Sequence, residues 1–269
     1  MAHPALKRYA SHGVTLIGDP TSPFGVTLAF TERTGGVSLS PFDSLNLGDA
    51  TGDDVQAVEE NRRRALAAMG ASEWADRLVS ARQVHGDEVV TIGQGHERPE
   101  RARAIAASGA DAFVCFERQV PVLICVADCV PVVLVAPYQE HGAFAVIHSG
   151  WKGTLARIAA KALGVLVEES GADASEVLAY VGPHIGVDDY EVSGDLAGRF
   201  RAAFGDATVK GERNVDLGEA IVLTLGEAGL DRERVALAGE SSAAHTDRFF
   251  SYRTEGGRTG RMGAIACVP

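Results

Sequence analysis

The chain has 269 residues, 46% of them hydrophobic, and a formal net charge of −11 at pH 7. That length allows one large domain or two small ones, and the acidic balance, with a pI of 5.2, excludes the broad basic face through which proteins usually bind nucleic acid. No stretch reaches the roughly 18–20 apolar residues of a membrane helix, so neither nucleic acid nor a bilayer is an expected partner.

The N-terminal segment MAHPALKRYASHG has no apolar signal core, and Cys115, Cys125, Cys129 and Cys267 lack the density of a disulfide scaffold. A cytoplasmic protein with reduced thiols is expected. Residues 14–19 (VTLIGD) and 26–31 (VTLAFT) read as short strands separated by Pro20 and Pro23. After the Thr34-Gly35-Gly36 turn comes a long polar loop, SLSPFDSLNLGDATGDD. Its length marks it as functional, with Phe42, Leu45 and Leu47 as anchors. Asp53 or Asp54 caps a helix running from Val55 to Met69, and Gly70 stops it. Leu78–Ile92 is a loop-to-strand segment interrupted by His85-Gly86, residues 93–110 read as a polar surface excursion, and Asp111–Phe116 reads as a strand.

The stretch that organises the rest is 121–154. Its two apolar runs, Val120–Val135 and Ala143–Ile147, have the composition of buried strands. Asp128 and Cys129 interrupt the first and His148 ends the second. Strand alternation would turn Asp128 away from Cys129. A helix follows from Leu155 to Val167, with apolar residues at helical spacing and Gly171 as its stop. Val177–Val181 is a strand, helices follow over 193–204 and 215–228, and strands at 235–238 and 262–268 close the chain. Strands and helices alternate without a linker or a composition break, so an α+β or layered α/β architecture in one domain, residues 1–269, is expected.

His85, Cys129 and His148 each stand at a strand end or break. Singly, each reads as a core cysteine or a hydrogen-bonded histidine. Together they make two imidazoles and a thiolate, a donor set for zinc or copper that leaves a fourth position for water or substrate. The same Cys129 and His148 also suit a thiolate–imidazole pair for acyl transfer or deamidation. The zinc deaminase pattern is absent, because Cys125 and Cys129 are four apart and no proline precedes them. Ser149-Gly150-Trp151-Lys152-Gly153-Thr154 joins a strand exit to a helix start, where free backbone N–H groups and a lysine suit a small anion; the order is not that of a Walker loop. Arg33, Arg62, Arg253, Arg258 and Arg261 either solvate the surface or hold phosphate by forked hydrogen bonds. Arg33, Asn46, Gly150, Lys152 and Arg253 form the candidate substrate- and phosphate-binding set.

Several ordered motifs together resemble the laccase-domain family of bacterial purine nucleoside phosphorylases, also called polyphenol oxidases or peptidoglycan editing factors. They are FTERTGGVSLSPFDSLNLG, GDDVQAVEENRRRAL, RQVHGDEV, DAFV, VADCVPVVLVAP, AVIHSGWKGT, VGPHIGVDDYEV and FFSYRTEGGRTGR. The resemblance implies a four-layer α/β/β/α sandwich with mixed sheets. It implies a metal, zinc or alternatively copper, on His85, Cys129 and His148, which would also be the catalytic centre. It further implies phosphorolysis of adenosine, inosine, guanosine and methylthioadenosine, with adenosine deamination as a second activity. Purine nucleosides and phosphate are then the partners. Rival readings are a cysteine hydrolase or deamidase, or a peptidoglycan-precursor editing enzyme, built on Cys129 and His148. Copper-dependent phenol oxidation ranks lower, because one mononuclear site lacks the several coppers needed to reduce oxygen by four electrons. Two positions depart from the usual motifs: Ser241-Ser242 stands where many relatives carry Cys-Thr, and Lys152 stands where arginine is commoner.

Overall fold

The computed structural model describes residues 3–269. The chain opens with β1 (Lys7–Ser11) and β2 (Val14–Gly18), a hairpin turned by His12 and Gly13 at positive φ. β3 (Thr27–Thr31) follows, and then the long loop leads to α1 (Val55–Ala68), which Asp54 caps by accepting from Gln56 N at 3.0 Å. β4 (Val79–Ser80) and β5 (Val89–Ile92) flank the His85 loop. The expected surface excursion contains a helix, α2 (Pro99–Ala106). Proline at its first turn and buried Ala102 and Ala106 fold it inward despite its charged sequence.

β6 (Ala112–Cys115) precedes the central apolar run, which is two strands and not one: β7 (Val122–Val126) and β8 (Val130–Tyr138). β9 (His141–Ser149) pairs with β8 along its whole length. The helix expected after Gly153 is likewise divided, into α3 (Trp151–Leu155) and α4 (Ile158–Ser170), because Arg157 takes a left-handed conformation at φ 60°. Gly171, at φ 72°, ends α4 as the sequence indicates. Then come β10 (Leu178–Val181), α5 (Gly194–Phe204), the short pair β11 (Val209–Lys210) and β12 (Asn214–Val215), α6 (Leu217–Glu227), β13 (Val235–Leu237) and β14 (Met262–Cys267).

Two six-stranded mixed sheets result, ordered β1-β2-β3-β14-β7-β4 and β13-β10-β8-β9-β6-β5. Alternation along the strands explains the layers. Val133 and Val135 of β8 join Phe144, Val146 and Tyr180 against Phe30, Ile124 and Ala264 of the other sheet. The intervening Val132 and Leu134 face outward onto Leu166 of α4, Phe200 of α5 and Ile221 of α6. On the far side Leu16, Ala29 and Leu123 pack under Ala65 and Leu66 of α1 and under Leu45 and Leu47 of the long loop. The α/β/β/α order is the one the resemblance implied. Burying each large aliphatic side chain contributes roughly 1.5–3 kcal/mol; the middle cluster holds the sheets face to face, and the two outer clusters hold the helices and the long loop onto them. Gly182 is needed at that junction, since a Cβ there would lie 2.4 Å from the Phe30 ring. No helix among the described residues is long and apolar enough to cross a membrane.

β7 belongs to the first sheet and β8 to the second. The chain therefore changes sheets at Ala127-Asp128-Cys129.

Candidate metal centre and cavity

Cys129 stands at the mouth of this crossover. Val130 pairs with Ser149 and Pro131 with His148, so Cys129 lies next to the exit of β9 and against Gly150. His85 comes from the loop after β4, at φ 58°. The possible ligand atoms of His85, Cys129 and His148 lie within 4.8 Å of one another, and the two imidazoles meet edge to face at 4.7 Å between centroids. His148 is buried, Cys129 half-buried and His85 exposed.

Asp111 orders this cluster. It is fully buried at the start of β6, and its Oδ1 lies 2.7 Å from His148 Nδ1. The carboxylate also accepts from the backbone N–H groups of Val84 (3.3 Å), His85 (3.0 Å) and Gly86 (2.7 Å). Backbone N–H groups converging on one carboxylate hold the His85 loop in its left-handed turn. With Nδ1–H of His148 committed to Asp111, Nε2 is the free nitrogen on the Cys129 side. Burial works against charge on both Cys129 and His148. Their mutual attraction wins, helped by hydrogen bonds from both histidines to the Cys129 sulfur and from His148 to the Asp111 carboxylate. Cys129 is brought down to about 6 and His148 up to about 9. Cys125 lines the same cavity, but burial pushes it up to about 11, so only Cys129 is set up as a thiolate. Two imidazoles and a thiolate with their ligand atoms this close make a donor set that would suit a metal ion, held by His85, Cys129 and His148 at the edge of a cavity.

Gly150 is there because nothing larger fits. A Cβ at this position would stand 2.9 Å from Cys129 Sγ and 3.0 Å from His85 Cδ2. Its backbone, at φ −80°, makes no special demand, so the requirement is for space.

The cluster opens into a cavity of 970 Å³. Although the chain as a whole is acidic, Arg62, Arg82, Arg103, Arg253 and Arg261 border this cavity, against Asp49 and Asp128 as the acidic groups among the described residues. Arg62 pairs with Asp49 at 3.1 Å. Trp151, Tyr190 and Tyr252 supply aromatic faces. Cationic walls around an apolar space suit an anion together with a flat ligand.

Of the residues singled out from sequence, the structure brings together His85, Asp128, Cys129, His148 and Gly150 with Arg62, Arg253 and Arg261 around this cavity, while Arg258 is outside its lining. Arg33 lies apart. Its guanidinium donates to Thr246 O, Asp43 O and Glu255 and rests 4.4 Å from the Phe250 ring centre. Asn46 is fully buried and holds the long loop together, donating to Thr51 and Asp53 and accepting from Gly48 N and Arg261 N. Lys152 stands exposed on α3 with Nζ 5.4 Å from the Trp151 ring centre, outside the cavity lining. Asp128 corrects an expectation. It does not obey strand alternation, because it sits in the sheet-changing turn at φ 81°. Asp111, Arg82 and Tyr190 escaped notice in the sequence. Asp111 reads there only as the polar edge of a strand, and nothing local reveals what its carboxylate holds.

Two mixed sheets between helices, with a histidine–cysteine donor cluster at a cationic cavity, define a two-sheet α+β protein with the makings of a metal centre. The chain belongs to the family described as multi-copper polyphenol oxidoreductase laccase, whose model matches residues 27–269. It is 37% identical over 260 residues to a purine nucleoside phosphorylase of Deinococcus radiodurans, covering 96% of this chain and 94% of that one. Its fold is similar to that of YlmD from Geobacillus stearothermophilus (TM-score 0.82, 30% identity, 98% of both chains). It is also similar to that of the Bacillus licheniformis protein YfiH (TM-score 0.84, 28% identity, 96% of this chain and 97% of the other).

Proposed function

We propose that the protein is a metal-dependent purine nucleoside phosphorylase acting on adenosine, inosine, guanosine and methylthioadenosine. The observation that carries this reading is the convergence of His85, Cys129 and His148 on a cavity with arginine and aromatic walls. The likeness to a phosphorylase of Deinococcus radiodurans over nearly the whole chain supports it. In phosphorolysis a phosphate oxygen bonds to C1′ of the ribose while the N-glycosidic bond breaks and the purine leaves with a proton. Arg253 would hold the phosphate dianion, and Trp151, Tyr190 and Tyr252 offer faces for the base. Asp111 keeps the His148 and His85 donors in register. A zinc ion on the three residues, with copper as the alternative, would supply Lewis acidity at its open position.

The test measures turnover of inosine and adenosine by metal-analysed protein, with and without phosphate. Phosphate-dependent release of free base and ribose 1-phosphate, lost in Cys129→Ala and on zinc removal, is the expected result. Release of ammonia from adenosine in the same assay reads the separate deamination. No turnover in zinc-loaded protein would overturn the reading. A second reading, a cysteine hydrolase, is favoured by one feature: Cys129 is hydrogen-bonded to a histidine that Asp111 orients. It predicts activity in metal-free protein and leaves His85 dispensable.

A further inference from the structure

Asp128 is next to Cys129 yet outside the three-residue cluster, and its surroundings account for a carboxylate buried there. It is 8% exposed. Oδ1 accepts from the Ser242 hydroxyl at 2.7 Å, and Oδ2 accepts from the Arg253 backbone N–H at 2.7 Å. Its main-chain carbonyl accepts from Ile185 N at 3.0 Å. A single residue thus joins three stretches of the cavity wall, those bearing Cys129, Ile185 and Tyr252-Arg253. Arg253 is the group this joint aims. One guanidinium N–H group donates to Glu191 O at 3.0 Å, and the guanidinium carbon lies 5.2 Å from the centre of the Tyr190 ring. Backbone, ring and carbonyl together fix where its remaining donors point.

We propose that Asp128 is a positioning residue that fixes Arg253 as the phosphate anchor of the cavity, and that it takes no part in proton transfer. This rests on the phosphorolysis reading. Both carboxylate oxygens are taken up by donors of the protein itself, and one of these is a main-chain N–H that cannot reverse its role. Asparagine fits the same joint: its Oδ1 accepts from Arg253 N–H, while its Nδ2–H donates to the Ser242 hydroxyl, which turns to accept. Glycine keeps the left-handed backbone and removes the joint. A positioning role therefore tolerates asparagine, and a proton-transfer role does not.

The experiment compares Asp128→Asn and Asp128→Gly with the parent protein, using inosine and inorganic phosphate. Asp128→Asn is expected to keep kcat/KM within about threefold of the parent, with an unchanged pH profile, because the hydrogen bonds survive. Asp128→Gly is expected to raise the KM for phosphate about tenfold or more while the KM for inosine stays within about twofold. Amide exchange at Arg253, read without substrate, should be slow in the parent and Asp128→Asn and fast in Asp128→Gly. An Asp128→Asn variant that folds but is inactive overturns the proposal even if the glycine variant fails to fold. Equal KM rises for phosphate and inosine overturn it as well. If the parent itself does not turn over inosine, the phosphorolysis reading falls separately. Calorimetry with inorganic phosphate then decides the joint, and equal affinity in the parent and Asp128→Gly counts against it.

Discussion

Asp111 Oδ1 lies 2.7 Å from His148 Nδ1 and 3.0 Å from the backbone nitrogen of His85, so one buried carboxylate orients both histidines of the cluster. Burial alone would raise this carboxyl, but the His148 hydrogen bond and charge and the backbone donors hold it below the usual carboxylate value. Removing its charge while keeping its shape leaves a conflict. In Asp111→Asn the amide NH2 must face either the Gly86 and Val84 N–H groups or His148 Nδ1. The second arrangement moves the His148 proton to Nε2 and so takes up the nitrogen lone pair that would bind a metal. Metal affinity is expected to fall about 10–100-fold, measured by chelator competition. An unchanged affinity would show that Asp111 serves the loop alone.

Gly150→Ala tests the crowding at the centre. The added methyl would lie within 3.0 Å of both Cys129 Sγ and His85 Cδ2, while the backbone accepts alanine. Weaker metal binding with a thermal midpoint close to that of the parent is the expected pattern. If zinc and copper bind as before, the two ligands have room that the geometry denies them.

Stability should depend on acid through Glu32. This carboxylate, 1% exposed, accepts from Arg8 at 2.6 and 2.9 Å and from Arg248 at 2.7 and 3.0 Å. Burial by itself would raise it, yet the hydrogen bonds and charges of the two arginines prevail and lower it. A carboxyl lowered on folding stabilises the protein above its ordinary value of 4.5 and loses that contribution as the pH falls. Glu32→Gln should therefore cost about 1.5–3 kcal/mol at pH 7, with the deficit shrinking below pH 4.5. Urea unfolding at several pH values reads this, and a deficit that stays constant into acid argues for packing instead of charge.

Arg33→Ala separates structure from substrate binding. The Arg33 guanidinium ties the long loop to Thr246 and Glu255 at 2.6 and 3.0 Å, outside the cavity that His85, Cys129 and His148 line. The variant is expected to lose roughly 1.5–3 kcal/mol of stability with little change in the KM for phosphate. A large rise in that KM in folded protein would return Arg33 to the phosphate site.

Much of this was legible in the chain. Val132–Val135 and Ala143–Ile147 are apolar on both faces because each sheet is covered on both sides, and that shows as an unbroken Val-rich run. The same continuity hid the crossover at 127–129. Nothing in an apolar run marks where a strand leaves one sheet for the other, so Asp128 looked like a strand residue. β1, with Lys7 and Arg8 exposed at a sheet edge, and α2, with only Ala102 and Ala106 of its alanines and isoleucine fully buried, lacked the pattern that announces burial.

By itself the sequence determined the residue types of the centre, His85, Cys129 and His148, and the small-residue turn at Gly150, because a donor set and a glycine are properties of side chains. Only the tertiary structure decided that these donors meet and that Asp111 holds them. It also decided that Asp128 aims Arg253 and that five arginines of an acidic chain face one cavity. Those are relations between segments far apart in the chain, set by how two sheets pack. No local pattern carries them.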